Sequence, residues 1–272
     1  MKTGTIHPKQ FLILTFLFSW MVWGGMIIFN PADQYFLPLL FLGAFGPAII
    51  AVYLIHRYGN LEQKRDFWSR ILSFRRIGAK WYFFIFLIFP LILLLGYTFL
   101  SFFGGSFSGL DSYFGGINGP WDFMYLLVFM VLGGPLAEEP GWRGYLLDPL
   151  QEKWGKLKAS LVLGVIWTIW HLPLFFIAGT SQYQKGFGIA FWSWTLQLMV
   201  ISVIMTWVYN HTNRSILGAV LLHLMANFAY PLNLDGTGEI VFSVVRILII
   251  IPILLWWMRK PASKKMLSGS AF

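Results

Sequence analysis

Long apolar runs alternate with short polar ones along the whole chain, and eight of the apolar runs approach the length of a bilayer crossing. They cover roughly Phe11–Phe29, Tyr35–His56, Trp81–Phe103, Trp121–Ala137, Ala159–Ala178, Gly188–Tyr209, Ser215–Tyr230 and Ile240–Met258. A helical span needs about 20 mostly apolar residues. The sixth and eighth runs are apolar almost all round, whereas His171 interrupts the fifth, and His223 with Asn227 interrupts the seventh. The pattern predicts an all-α polytopic transmembrane bundle of about eight spans, forming a single membrane domain over residues 1–272. Lys2 and Lys9 precede the first run, and no clear small-residue cleavage site follows it, so it reads as a span and not as a removable signal peptide.

The connecting segments predict the orientation. With a cytoplasmic N-terminus, the segments 1–10, 57–80, 138–158, 210–214 and 259–272 lie inside and hold eighteen of the twenty Lys and Arg residues. The opposite side holds only Lys185, and Arg246 falls inside the last span. Cytoplasmic loops carry such an excess of basic residues, so an even number of spans with both termini inside is expected. Within 61–77 the residues Leu61, Phe67, Trp68, Ile71 and Leu72 can face one way, with Lys64, Arg65, Arg70, Arg75 and Arg76 around the other side. This stretch reads as an amphipathic interfacial helix on the inner leaflet, or else as a basic connector that only sets orientation. The Gly-rich segment 104–120 reads as an outer loop.

Composition agrees with the pattern. Hydrophobic residues make up 57% of the 272 and charged residues 11%, against about 25% charged in a soluble chain. The net charge of +9 follows the membrane topology and does not sit among groups that read bases, so lipid is the expected partner and nucleic acid is not. The absence of cysteine excludes disulfides, thiolate metal sites and cysteine-protease chemistry.

Ionisable groups at bilayer depth cost about 2.5–3.5 kcal/mol each on insertion scales, so those retained are functional suspects. Three clusters qualify. Glu138 and Glu139 open the first, where Glu139 and Arg143 are spaced i, i+4 and can neutralise each other, leaving Glu138 about 100° around the helix without a local partner. His171 lies well inside the fifth run, two residues before Pro173. His223 and Asn227, again i, i+4, share one face of the seventh. Singly, each reads equally well as structural: an interfacial salt bridge, a hydrogen-bonded core histidine, an interhelical clamp. Together, a carboxylate, two imidazoles and an amide on three spans are the ingredients of a hydrolytic site, with the carboxylate as base and the donors for a developing oxyanion.

Glu138-Glu139-Pro-Gly-Trp-Arg143, Trp167-Thr-Ile-Trp-His171 and His223-Leu-Met-Ala-Asn227 match, in order and spacing, the three motifs of the CAAX-protease and bacteriocin-processing (Abi) family of intramembrane proteases. The chain resembles that family over about 121–230, its catalytic-motif core, with Trp167 where Phe is more usual. The resemblance implies an intramembrane endopeptidase. Glu138 and His171 would activate water, His223 and Asn227 would form the oxyanion site, and Glu139, Arg143 and Trp167 would support the geometry. Its substrate would be a membrane-associated peptide, either prenylated or a bacteriocin-type precursor. The family was named as metalloproteases; no cofactor is committed, and a catalytic zinc on Glu138, His171 and His223 stays open beside a metal-free mechanism.

Two other readings compete: a proton-coupled transporter, for which two related halves would be expected and none is found, and an immunity-type membrane protein that has kept the site without catalysis. The lack of an organelle address suggests a bacterial cytoplasmic membrane. One geometric condition follows from the peptidase reading. A straight count puts Glu138 near the inner boundary and His171 about 20 Å from it, so the fourth span must be displaced or bent around Pro135, Pro140 and Pro173.

Overall fold

A computed structural model describes residues 6–105, 119–229 and 234–259. Most of the Gly-rich loop and the outer parts of both terminal segments therefore lie outside the described residues. Among those described there is no strand. Helix α1 spans Pro8–Phe29, followed by α2 (Asp33–Ala44) and α3 (Gly46–Tyr58), which form one bent pair. Then come α4 (Leu61–Leu72), α5 (Ala79–Ser101), α6 (Pro120–Leu132), the short α7 (Pro135–Gly141), α8 (Leu147–Trp170), the small α9 (Ser181–Lys185), α10 (Ile189–His211), α11 (Ile216–Phe228) and α12 (Gly236–Arg259).

Among the described residues five helical runs are long and apolar enough to cross a membrane, or six if the pair α2–α3, bent by 45°, counts as one. The sequence pattern suggests about eight. The difference has two local causes. The predicted fourth and fifth spans belong to a single 57-residue run, Pro120–Phe176, and the predicted seventh is the 13-residue α11, about 20 Å long and shorter than the hydrocarbon core. The outer surface is apolar as a bilayer requires: Met21, Ile28, Phe29, Phe83 and Trp121 are among the most exposed side chains.

Small residues set the closest packing. On α8, Gly164 lets the Met199 backbone of α10 approach, and the Ser202 hydroxyl donates to the Ser160 carbonyl at 2.7 Å, as expected where lipid offers no hydrophobic drive between helices. Helix α8 breaks at Gly155, whose φ of +72° and ψ of 170° suit glycine alone; the break parts the Leu147–Trp154 piece from the apolar remainder.

Helix α4 starts on a capping box, with Asn60 and Gln63 each bonding the other's backbone N–H. Phe67 is buried but Leu61 and Leu72 are exposed, and Arg70, placed on the basic side by the sequence pattern, is only 5% exposed. Arg70 donates to the Tyr209 hydroxyl at 2.8 Å and the Gly144 carbonyl at 3.0 Å. Tyr209 in turn donates to Asp148 at 2.9 Å, where Arg214 also bonds. The helix is thus anchored to α8 and α10 by a shared carboxylate, an attraction that local periodicity cannot register.

Candidate active site

The bend that the motifs require lies at Gly133-Gly134-Pro135. Helix α6 ends at Leu132, the chain turns through Gly134 (φ −154°, ψ −78°), and α7 restarts with Pro135 in its first turn, a position where the missing N–H costs nothing. Seven residues later the helix widens into a π-turn over Trp142–Leu146, a local form common at functional sites. Gly141 lies directly against α3: a Cβ there would come within 2.6 Å of the Pro47 carbonyl oxygen. This short helix carries both carboxylates into the interior, where Glu138 is 4% exposed and Glu139 and Arg143 are fully buried.

Glu139 and Arg143 form the expected i, i+4 pair at 3.0 Å. The same Glu139 oxygen also meets Nδ1 of His223 at 2.8 Å, a contact that the sequence motifs do not predict. An imidazole whose Nδ1–H donates to a carboxylate is fixed in orientation and presents Nε2 outward. His171 is held similarly, with Nδ1 2.8 Å from the Trp167 carbonyl oxygen, and its ring packs against Trp170 and Trp194 at 4.7 and 5.4 Å between centroids.

Trp167 joins these parts. Its indole N–H donates to Oε2 of Glu138 at 2.5 Å, its ring meets those of His223 and His171 at 5.1 and 5.9 Å, and the Arg143 guanidinium stands 5.0 Å from its centroid. The Trp142 indole also donates to Oε2 of Glu138, at 3.4 Å. Among the described residues Oε1 of Glu138 carries no hydrogen bond. It faces a space that exists because residue 134 is glycine: a Cβ on Gly134 would stand 3.3 Å from Nδ2 of Asn227 and 3.6 Å from both Glu138 Oε1 and His223 Nε2.

The structure therefore brings Glu138, His223 and Asn227 around one point. His171 joins the same aromatic cluster but makes no hydrogen bond to Glu138 among the described residues, since Trp167 is its neighbour. Among the described residues no group of three or more His, Asp or Glu side chains that could hold a metal ion is found. Two residues of the site are absent from the sequence reading's set, Gly134 and Trp142. The doubled glycine before a proline and the i, i+4 spacing of Trp142 from Glu138 are the signals for them.

A family model described as type II CAAX prenyl endopeptidase, Rce1-like, matches residues 120–229. The chain is also 32% identical over 227 residues to CAAX prenyl protease 2 of Methanococcus maripaludis, an alignment covering 81% of this chain and 83% of the relative. The chain belongs to the CAAX protease family. The matched segment of this CAAX protease homologue runs from the first residue of α6 to the residue after α11, and so contains every side chain that meets at Gly134. Membership places the chain among membrane peptidases and gives no support to the transporter reading.

Proposed function

We propose that the chain is an endopeptidase for prenylated C-terminal peptides and that Glu138 is its general base. The observation that carries this is the convergence of Glu138 Oε1, His223 Nε2 and Asn227 Nδ2 on the space beside Gly134. Two indoles hold Oε2, so Oε1 is the oxygen that faces the substrate side. A water in that space gives a proton to Oε1 as its oxygen attacks the scissile carbonyl. The tetrahedral oxyanion accepts the Asn227 amide N–H. His223, held by Glu139 at 2.8 Å, presents its Nε2 to the same space. The proton on Glu138 then passes to the leaving nitrogen, and the C–N bond breaks.

Glu139 and Arg143 act through His223 and are positioning residues. His171 belongs to the same aromatic cluster, oriented by a backbone carbonyl, and its Nε2 suits it to relay protons during release of the leaving amine. The prenyl specificity rests on what the matched family and relative are called, together with a site whose walls are indole rings.

The test uses the full chain in liposomes and a peptide ending in an S-prenylated cysteine followed by three residues. The wild type is expected to release the tripeptide, and Glu138→Gln to lower the rate by about 10²–10⁴-fold, the usual contribution of a general base, with an unchanged elution profile. A Glu138→Gln protein that cleaves at the wild-type rate would remove the base from this mechanism.

A further inference from the structure

The catalytic cluster leaves Arg70 unused, although its side chain reaches the helix that carries both carboxylates. Arg70 is 5% exposed on α4, and its Nη2 donates to the Gly144 carbonyl at 3.0 Å. Gly144 sits in the middle of the π-turn Trp142–Leu146, which the Leu147 N–H closes on the Trp142 carbonyl five residues back. It directly follows Arg143, the partner of Glu139, and lies six residues after Glu138. Packing grips the same residue. A Cβ on Gly144 would stand 2.8 Å from Cδ1 of Ile216 on α11 and 3.0 Å from Cε2 of Phe67 on α4. Phe67 is itself fully buried. Positions three apart share a helix face, so α4 meets the turn with an apolar and a charged contact side by side.

The other donors of this guanidinium are fixed elsewhere. Nη1 bonds the Tyr209 hydroxyl at 2.8 Å, Nε lies 3.0 Å from Asp66, and Asp148 stands 3.5 Å from Nη1. The two carboxylates counter a charge whose burial would otherwise be strongly unfavourable. The guanidinium is a rigid planar fork. Once Asp66 and Tyr209 hold two of its nitrogens, the third has one direction left, and that direction ends on Gly144. A hydrogen bond from a charged donor is about twice as strong as one from a neutral donor. π-Turns are rare and cluster at functional sites, and this one is held from outside its own helix.

We propose that Arg70 is a positioning residue for the reaction: through the Gly144 carbonyl it sets the π-turn, and with it the orientation of Glu138 and Glu139. The proposal rests on the peptidase reading above. Both carboxylates belong to the seven-residue α7, which continues directly into the turn. A tilt of the turn therefore moves Glu138 Oε1 away from Gly134 and Glu139 away from His223 together. A displacement of about 1 Å at a reacting centre costs on the order of 100-fold in rate. Were Arg70 only an anchor for α4, its contacts with Tyr209 and Asp148 would matter as much as its bond to Gly144.

Two substitutions in the full-length protein separate these roles. Arg70→Lys keeps a cation between Asp66 and Asp148 but lacks the fork, whereas Tyr209→Phe removes the Nη1 partner and leaves the Gly144 bond in place. With the S-prenylated peptide in liposomes, Arg70→Lys is expected to lower kcat by about 10–100-fold with KM unchanged. Tyr209→Phe should leave kcat near the wild-type value, even where it lowers the melting temperature. Amide hydrogen exchange over residues 138–147 gives a second readout that needs no turnover. It should quicken in Arg70→Lys and stay as in the wild type in Tyr209→Phe. If Arg70→Lys does not insert, Arg70→Gln combined with Asp148→Asn removes one charge of each sign and carries the same expectation. Equal losses of kcat in Arg70→Lys and Tyr209→Phe, or the same exchange over this segment in every variant, would overturn the assignment. Faster exchange confined to Arg70→Lys, with no cleavage by the wild type, would support the hold on the turn and sink the peptidase reading instead.

Discussion

The two oxygens of the Glu138 carboxylate have separate surroundings, and in the proposed mechanism the difference selects the one that reacts. Oε2 receives the indoles of Trp167 and Trp142, while Oε1 looks onto the position where Gly134 has no side chain. Filling that position is therefore a sharper test than removing a charge. The nearest atom to a new Cβ would be the end of the Asn227 side chain, 3.3 Å away and needing to give by only a few tenths of an ångström, so Gly134→Ala is expected to leave the thermal transition within a few degrees of the wild type. It should nevertheless slow peptide cleavage by about 100-fold, the scale on which a small misplacement at a reacting centre acts. An active Gly134→Ala enzyme would show that the water is held elsewhere. Glu139 predicts the opposite balance. Fully buried and shared between Arg143 and His223, it leaves a guanidinium without its counter-charge when removed. Glu139→Ala should cost about 3–5 kcal/mol of stability, read as a lowered melting temperature in detergent, in addition to lost activity.

At the scale of elements, the sequence was legible wherever spacing alone decides the outcome. The i, i+4 pairs Glu139–Arg143 and His223–Asn227 fall on helices as expected, and the bend demanded by the depth of Glu138 is present. It comes from the Gly133-Gly134 break and the π-turn after Gly141, and Pro135 merely begins the new helix. Contacts between distant elements were not legible. The choice of Glu139 over Glu138 as partner of His223 and the burial of Arg70 under Tyr209 depend on how α7, α11, α4 and α10 dock. No periodicity within one helix encodes either. The break in α8 is a further element-level feature, at Gly155, just before Ala159 where the sequence pattern starts its fifth span. Gly155 has open space around its missing Cβ but a backbone conformation foreign to other residues. Gly155→Ala should therefore destabilise by about 1–3 kcal/mol through strain alone, measurable by thermal unfolding. An unchanged melting temperature would mean that α8 straightens at no cost.

The whole molecule is a set of apolar helices whose exteriors suit lipid and whose interior buries Arg70, Glu138, Glu139, Arg143, His171, His223 and Arg246. Hydropathy revealed the lipid-facing part well and the interior part poorly, because a helix such as α11, buried by its neighbours, need not be long enough to span. The identity of the family was nevertheless readable from residues 138, 171 and 223 and their companions, since the demands of water activation are local even when the fold is not. The separation of those companions along the chain carries a consequence for biogenesis. Glu139 waits 84 residues for His223, and helices enter the membrane in the order they are synthesised. A nascent chain on the ribosome already has its acid–guanidinium pair, Glu139 with Arg143, while the imidazole and amide that the proposed mechanism needs are still unmade. Proteolytic competence thus arrives only near the end of translation, and a prematurely terminated product reaches the bilayer as an inert fragment.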